Sequence, residues 1–399
     1  MISVEEARGV IRQTLTPLGA ETSPLETAAG RVLAEPVIAQ ITQPPFTASA
    51  MDGYAVRIAD AGAAGARLRV VGESAAGQRY AGDLEQGCAV RIFTGAPLPP
   101  GADHVVIQEN TARDGETVIL STAQTEPSNI RAAGIDFGQG EVLAAKGEKL
   151  SPAMLGLAAA GGNSTVAVRK APRIALIANG DELVAPGEAM GPDDIICSVP
   201  YALVPMIRQW GGAPTFLGIA KDDPESIKAI AEKALDYDLI APIGGASVGD
   251  KDFMRSVFKE LGYKPAFEKV RVKPGKPTWF GAVGKTHVLG LPGNPASAIV
   301  VSILFLKTAV ESLLALNASS DAPFVAARTT RRLPPNGPRE TYLRAHMDVS
   351  TDGALCVTPF DRQDSSLLSV MAKADALIRR ETDAPETPEG AVVECVRGF

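Results

Sequence analysis

A chain of 399 residues with 45% apolar and 21% charged residues can bury several cores, and length alone suggests about two to four domains. The formal net charge of -7 excludes a whole-molecule attraction to nucleic acid or an acidic membrane, so any anionic ligand requires a local positive site. The four dispersed cysteines, without a C-x-x-C pair, and the 3 histidines argue against a zinc centre and for buried thiols in a reducing compartment.

Met1 leads into "ISVEEARGVIRQTL", which lacks the apolar run of a signal peptide. A Ser3 cap, early acids and helical spacing predict a helix over "SVEEARGVIRQTLTPLG". The runs "RVLAEPVIA", "YAVRIAD", "ARLRVVGES", "CAVRIFTG", "HVVIQE" and "ETVIL" then predict a mostly β region of irregular topology. "SPAMLGLAAAG" reads as a short helix begun by proline and ended by glycine. It is expected to pack back on the first helix, with the β material between them forming an inserted domain.

From Pro172 strands alternate with helices of about ten to thirteen residues, the pattern of a doubly wound α/β domain. "RIALIA", "PTFLGIA", "YDLIAPIGG", "PAFEKVRV", "PTWFGAV" and "THVLGLPG" are its extended runs. "ASAIVVSILFLKTAVESLL", interrupted by Lys307 and Glu311, reads as a buried helix and not a membrane span. The fold class is therefore multidomain α/β and β. The N-terminal helical and extended domain is placed at 1-45 and 138-171, the inserted β domain at 46-137, the α/β domain at 172-318 and a β-rich tail at 322-399.

Functional residues of such a domain lie where strands end and helices begin. "NGDEL" offers Asp181 and Glu182 for a cation or for a ligand's amide and hydroxyl groups, against the bland alternative of a capped helix start. In "IAKDD", Asp223 reads as a cap and Asp222 stays open between roles. "GGASVGDKD" sets Gly244, Gly245 and Gly249 around Ser247 ahead of a helix, an arrangement that suits phosphate but matches no nucleotide fingerprint. "LPGNPASA" brings Pro292, Asn294 and Ser297 to the start of the long helix. One anion could meet that helix end, the Ser297 hydroxyl and a lysine of "RVKPGKPTW", where Lys273 and Lys276 flank Pro274 and Gly275. Prolines at 274, 277, 292 and 295 stiffen both loops before binding. Elsewhere Asp52, Thr94, Arg131, Asp136, Arg339, Ser365 and Ser366 each sit in what alone are ordinary turns. Arg344 alone reads as pairing with an acid on a sheet surface.

Taken in order, "SAMDGYAV", "RIFTGAPLPPGAD", "GDEL..PG", "GGASVGDKDF", "KPGKPTWFG" and "LPGNPASA" resemble the molybdopterin molybdenumtransferase family, the MoeA proteins and the gephyrin E domain. The resemblance covers almost the whole chain. It implies a cytoplasmic homodimer of four-domain subunits, with a C-terminal β-barrel and sites in a cleft between subunits. It implies that molybdate is inserted into adenylylated molybdopterin, with AMP and molybdenum cofactor as products. Molybdopterin adenylyltransferase and molybdoenzyme maturation proteins are the implied partners. Carried over by motif, the catalytic set is Asp52, Thr94, Asp136, Glu182, Asp222, Asp252, Lys273 and Lys276. Ser297, Arg339 and Ser365 join the lysines as oxyanion binders, and Glu182, Asp222 and Asp252 are candidates to retain Mg²⁺. Three positions depart from the family pattern: Asn179 replaces a threonine, Ile135 stands where an acid is common, and Val199 stands where asparagine is usual. The competing readings are a molybdopterin adenylyltransferase and a non-catalytic cofactor-binding scaffold.

Overall fold

The computed structural model describes residues 1–244, 253–317 and 324–398. Helix α1, Val4–Thr14, begins with a full capping box: Glu6 N–H donates to the Ser3 hydroxyl, and the Glu6 carboxylate accepts the Ser3 amide. Its apolar positions Val4, Ala7, Ile11 and Leu15 form one buried face. That face packs against the long helix of the α/β domain and not on α2, Pro152–Ala160, as the sequence suggested. The reason is chemical: α2 is apolar around its circumference and fills a separate small core with Leu33, Val37 and Val168. The stretch between the helices contains a six-stranded sheet ordered His104–Ile107, Gly53–Val56, Cys88–Ile92, Arg67–Ser74, Thr117–Leu120, Thr111–Asp114.

The α/β sheet is built from β1 (Arg173–Asn179), then α3 (Val199–Trp210), β2 (Ala213–Ala220), α4 (Pro224–Ala234), β3 (Leu239–Ile243) and α5 (Phe253–Glu260). It continues with β4 (Lys264–Phe267), β5 (Trp279–Val283), β6 (Thr286–Gly290) and the helical run α6 (Pro295–Leu313). The strand order is β2-β1-β3-β6-β5-β4, with β2, β1, β3 and β6 mutually parallel. Along β1, Ile174 and Leu176 join a core with α1, α3 and α6, while Ala175 and Ile177 join one with α4 and α5. Both faces of the sheet are therefore covered, and β1 reads as an unbroken apolar run because it alternates between two dry sides.

α6 is long and apolar enough to cross a membrane, yet 83% of it is buried inside the protein, and Lys307 pairs with Glu311 at 3.7 Å. Each large aliphatic side chain it buries contributes about 1.5–3 kcal/mol, which makes it the central post of the domain. A five-strand barrel closes the C-terminal part. β7 (Phe324–Thr329), β8 (Glu340–Val349), β9 (Leu355–Pro359), β10 (Ala376–Arg380) and β11 (Val392–Arg397) follow the circular order β8-β9-β7-β11-β10-β8. The run "PAFEKVRV" divides between two sheets. β4 edges the α/β sheet, whereas Val272–Lys273 pairs in parallel with Glu340–Thr341 of the barrel.

Two histidines are held neutral by burial. His104 Nδ1 accepts the Ser128 amide at 2.9 Å, so Nε2–H is the donor to Gln124 Oε1 at 3.2 Å. His287 stacks on Phe280, and its buried Nδ1 lacks a partner among the described residues. Desolvation lowers both pKa values below the ordinary imidazole value. Above that value neither folded nor unfolded state binds the proton. As pH falls below roughly 6.5, the unfolded chain binds it and the folded chain resists, so stability declines. The urea midpoint is expected to be lower at pH 5.5 than at pH 7.5, and His104→Gln to shrink that difference.

Candidate active site

The chain runs from β1 outward to β2 and then returns to place β3 on the other side of β1, a topological switch that opens a crevice at the carboxyl ends. A cleft of about 880 Å³ lies there. Asn179, Glu182, Asp222 and Gly244 line one part of it, and Pro292, Asn294 and Ser297 another. Ile195, Ile196, Cys197, Val199 and Leu368 supply apolar surface; the sequence reading singled out only Val199 among them, because the others carry no polar motif. Burial pushes the Cys197 thiol pKa up, so it remains an uncharged part of that surface.

The acidic turn divides its labour. Asp181 Oδ1 accepts the Asp222 amide at 3.0 Å, and Asp223 caps α4 by accepting the Ser226 amide at 2.8 Å. Glu182 and Asp222 are left facing the cleft. Asn179, 7% exposed, donates Nδ2 to the carbonyls of Ala220 and Lys221 at 3.4 and 3.2 Å. The departure from threonine thus ties β1 to β2 under the site. Val199 lies in the cleft, where it extends the apolar surface, and Ile135 is solvent-exposed, 65%, away from it. Gly245, Ser247, Gly249 and Asp252 lie outside the described residues.

A second pocket of about 450 Å³ shares Gly275, Pro277 and Ser297 with the cleft. Lys273, Lys276, Arg339, Arg344, Ser297 and Ser365 surround it. The lysine loop is firmly shaped. Val270 N–H donates to the Lys276 carbonyl, both Thr278 groups donate to the Gly275 carbonyl, and Arg255 Nη2 donates to the carbonyls of Glu268 and Pro277. On the barrel side, Asn294 Nδ2 donates to Ser365 Oγ at 2.8 Å, and the Ala296 amide to the Ser365 carbonyl at 3.0 Å. The start of α6 and the barrel loop are therefore locked together around the pocket.

Arg344 corrects the surface reading. It is 1% exposed, Nη2 donates to the Asp364 carbonyl at 3.1 Å, and Nε has no partner among the described residues. Desolvation pushes its pKa down despite the nearby Asp364 carboxylate. The missed signal was its spacing on β8: two residues beyond Tyr342, it lies on the strand face turned away from the barrel core and towards the α/β domain, on a strand whose first residues pair with the lysine strand. Lys273 and Lys276 are exposed and form no ion pair among the described residues. Four cations thus converge with two hydroxyls, a set suited to a tetrahedral oxyanion.

Asp52, Thr94 and Asp136 line neither cavity. Asp52 Oδ1 accepts both the amide and the hydroxyl of Thr94, at 2.7 and 2.8 Å, and these bonds hold its carboxyl pKa below the usual range. Asp136 is exposed in a turn whose amide donates to the Gln43 carbonyl. Among the described residues no group of three or more His, Cys, Asp or Glu forms a ready metal cluster.

Family comparisons agree along the chain: "MoeA N-terminal region (domain I and II)" matches residues 2–162, "Probable molybdopterin binding domain" 175–312, and "MoeA C-terminal region (domain IV)" 326–397. The molybdopterin molybdenumtransferase of Haemophilus influenzae is 31% identical, with 98% of each chain covered. That of Nostoc sp. is 34% identical over 86% of this chain and 81% of its own length. The crystal structure of a molybdopterin biosynthesis moea protein from Pyrococcus horikosii covers both chains fully, with a TM-score of 0.85 and 31% identity. With matches that run from end to end and include the lysine loop and barrel, the chain belongs to the molybdopterin molybdenumtransferase (MoeA) family.

Proposed function

We propose that this protein is a molybdopterin molybdenumtransferase of molybdenum cofactor biosynthesis, joining molybdate to adenylylated molybdopterin with release of AMP. The observation that carries this reading is the shared wall between a carboxylate-bearing cleft and a pocket of four cations. An elongated pterin phosphate suits the first, and a tetrahedral dianion the second. The cations offset the repulsion between the two anions, which otherwise opposes their approach. Ser297 and Ser365 add donors that orient the oxyanion, and the apolar side of the cleft excludes water from the pterin.

Glu182 and Asp222 fit a divalent cation of the Mg²⁺ type, because such a cation takes one or two carboxylates and completes its shell with phosphate oxygens and water. When bound it supplies charge neutralisation at the phosphates. Asp52, Thr94 and Asp136 reach a cleft if a second copy of the chain supplies them, so a homodimer is part of the proposal. A cytoplasmic location, and transfer from an adenylyltransferase towards molybdoenzyme maturation partners, belong to it as well.

AMP release from adenylylated molybdopterin, measured with and without molybdate and Mg²⁺, tests the reading. Release that needs both supports it; ATP-dependent adenylylation of molybdopterin without molybdate supports the adenylyltransferase alternative and sinks it. Glu182→Gln and Asp222→Asn are each expected to raise the Mg²⁺ concentration for half-maximal release about tenfold, on the scale of one lost charged ligand. Unchanged Mg²⁺ dependence in both variants would remove those residues from the metal site.

A further inference from the structure

Arg91 lines neither cavity, and no role has been given to it above. It lies on strand Cys88–Ile92, opposite Tyr54, and three residues before Thr94. Its guanidinium carbon is 5.2 Å from the Tyr54 ring centroid and 4.9 Å from that of Phe93, so both rings restrict the side chain. Nη1 donates to the Gly53 carbonyl at 3.0 Å, and Nη2 to Gln108 Oε1 at 2.7 Å. The Gln108 backbone N–H in turn donates to the Asp52 carbonyl at 3.0 Å.

These bonds surround one short turn. Both carbonyls of the Asp52-Gly53 unit are held, one by Gln108 and the other by Arg91, while Thr94 holds carboxylate Oδ1. Only glycine fits at position 53, because a Cβ there would stand 1.9 Å from the Val106 carbonyl oxygen of the neighbouring strand. Oδ2 is the carboxylate oxygen that remains to meet a ligand. Arg91 forms no ion pair among the described residues and places both donors on neutral acceptors around Asp52. Lysine could supply the charge but not two coplanar donors stacked on rings.

We infer that Arg91, acting with Gln108, is a positioning residue that fixes the direction in which Asp52 presents its free carboxylate oxygen to the substrate. The inference rests on the reading of Asp52 as a substrate-facing group in the proposed transfer. Arg91→Lys in the full chain is expected to lower kcat for molybdate-dependent AMP release about tenfold, with molybdate KM unchanged, because misplacement of one reacting group acts on turnover. In the Asp52→Asn background the same change is expected to have no further effect, since two residues acting through one group are not additive. Gln108→Ala leaves the ring packing of Arg91 intact and is expected to give a smaller kcat loss of the same kind, which keeps the test decisive if Arg91→Lys melts early. Wild-type turnover in both Arg91→Lys and Gln108→Ala, alongside an impaired Asp52→Asn, overturns the inference. So does an equal loss from Arg91→Lys in both backgrounds. Wild-type turnover by Asp52→Asn instead overturns the reading of Asp52 itself.

Discussion

Arg344→Met is expected to raise the molybdate concentration for half-maximal AMP release about a hundredfold while leaving the protein no less stable, since charged hydrogen bonds contribute about 1.5–3 kcal/mol each. The two effects separate because of where the charge sits. Arg344 is buried, and its desolvation is only partly offset in the free protein, by one carbonyl and the nearby Asp364 carboxylate, while Nε has no partner among the described residues. Breaking that one charged hydrogen bond costs about 1.5–3 kcal/mol, whereas removing a poorly compensated buried charge typically relieves several kcal/mol. Methionine fills much of the same volume with a flexible apolar chain. Thermal melting with and without molybdate checks both halves. Molybdate should raise the melting temperature of the wild-type protein by mass action, and this rise should vanish in the variant. An undiminished response to molybdate would remove Arg344 from the oxyanion pocket. A large loss of stability without ligand would show that its role is to hold β8 to the Gln363-Asp364 loop.

The α/β domain was the most legible part of the sequence, because its strands and helices alternate with distinct periods and its glycines and prolines mark each junction. Asp223 as cap and Ser297 at the start of α6 could be read locally, since each depends on neighbours within a few residues. The strands Ala20–Pro24 and Thr111–Asp114 were not legible: "AETSP" and "TARD" are mostly exposed and polar, and pairing, not pattern, makes them strands. The position of α1 was misread because an apolar helix face does not name its partner. Arg344 was misread for a related reason. Burial of a charged residue depends on what the barrel and the lysine strand bring around it, and neither is near it in sequence. Family resemblance supplied the barrel and the site list, but not the division of the acidic turn between Asp181 as brace and Glu182 and Asp222 as cleft residues.

The lysine loop joins these levels, and Gly275→Ala is the change that isolates its shape from its charge. Gly275 has φ 118°, and a Cβ there would lie 2.3 Å from Val301 Cγ2 on the buried face of α6. Valine cannot swing away cheaply, because its branched Cβ restricts it to few rotamers and α6 is packed around it. The loop must move instead. Its neck is tied by Arg255, and its first arm is paired with the barrel through Lys273, so the displacement should fall on the Lys276 side. Overpacking of this kind costs about 1–3 kcal/mol of stability, whereas an ångström of misplacement at a reacting centre can lower the rate about a hundredfold. AMP release by Gly275→Ala should therefore fall far more than its urea midpoint, although both lysines remain. Adding Val301→Ala should recover part of the lost rate by making room for the new methyl group. Retention of wild-type turnover by Gly275→Ala would mean that charge alone, and not its placement by a stiffened turn, is what Lys273 and Lys276 contribute. No recovery in the double variant would assign the loss to the unfavourable φ rather than to the clash with α6.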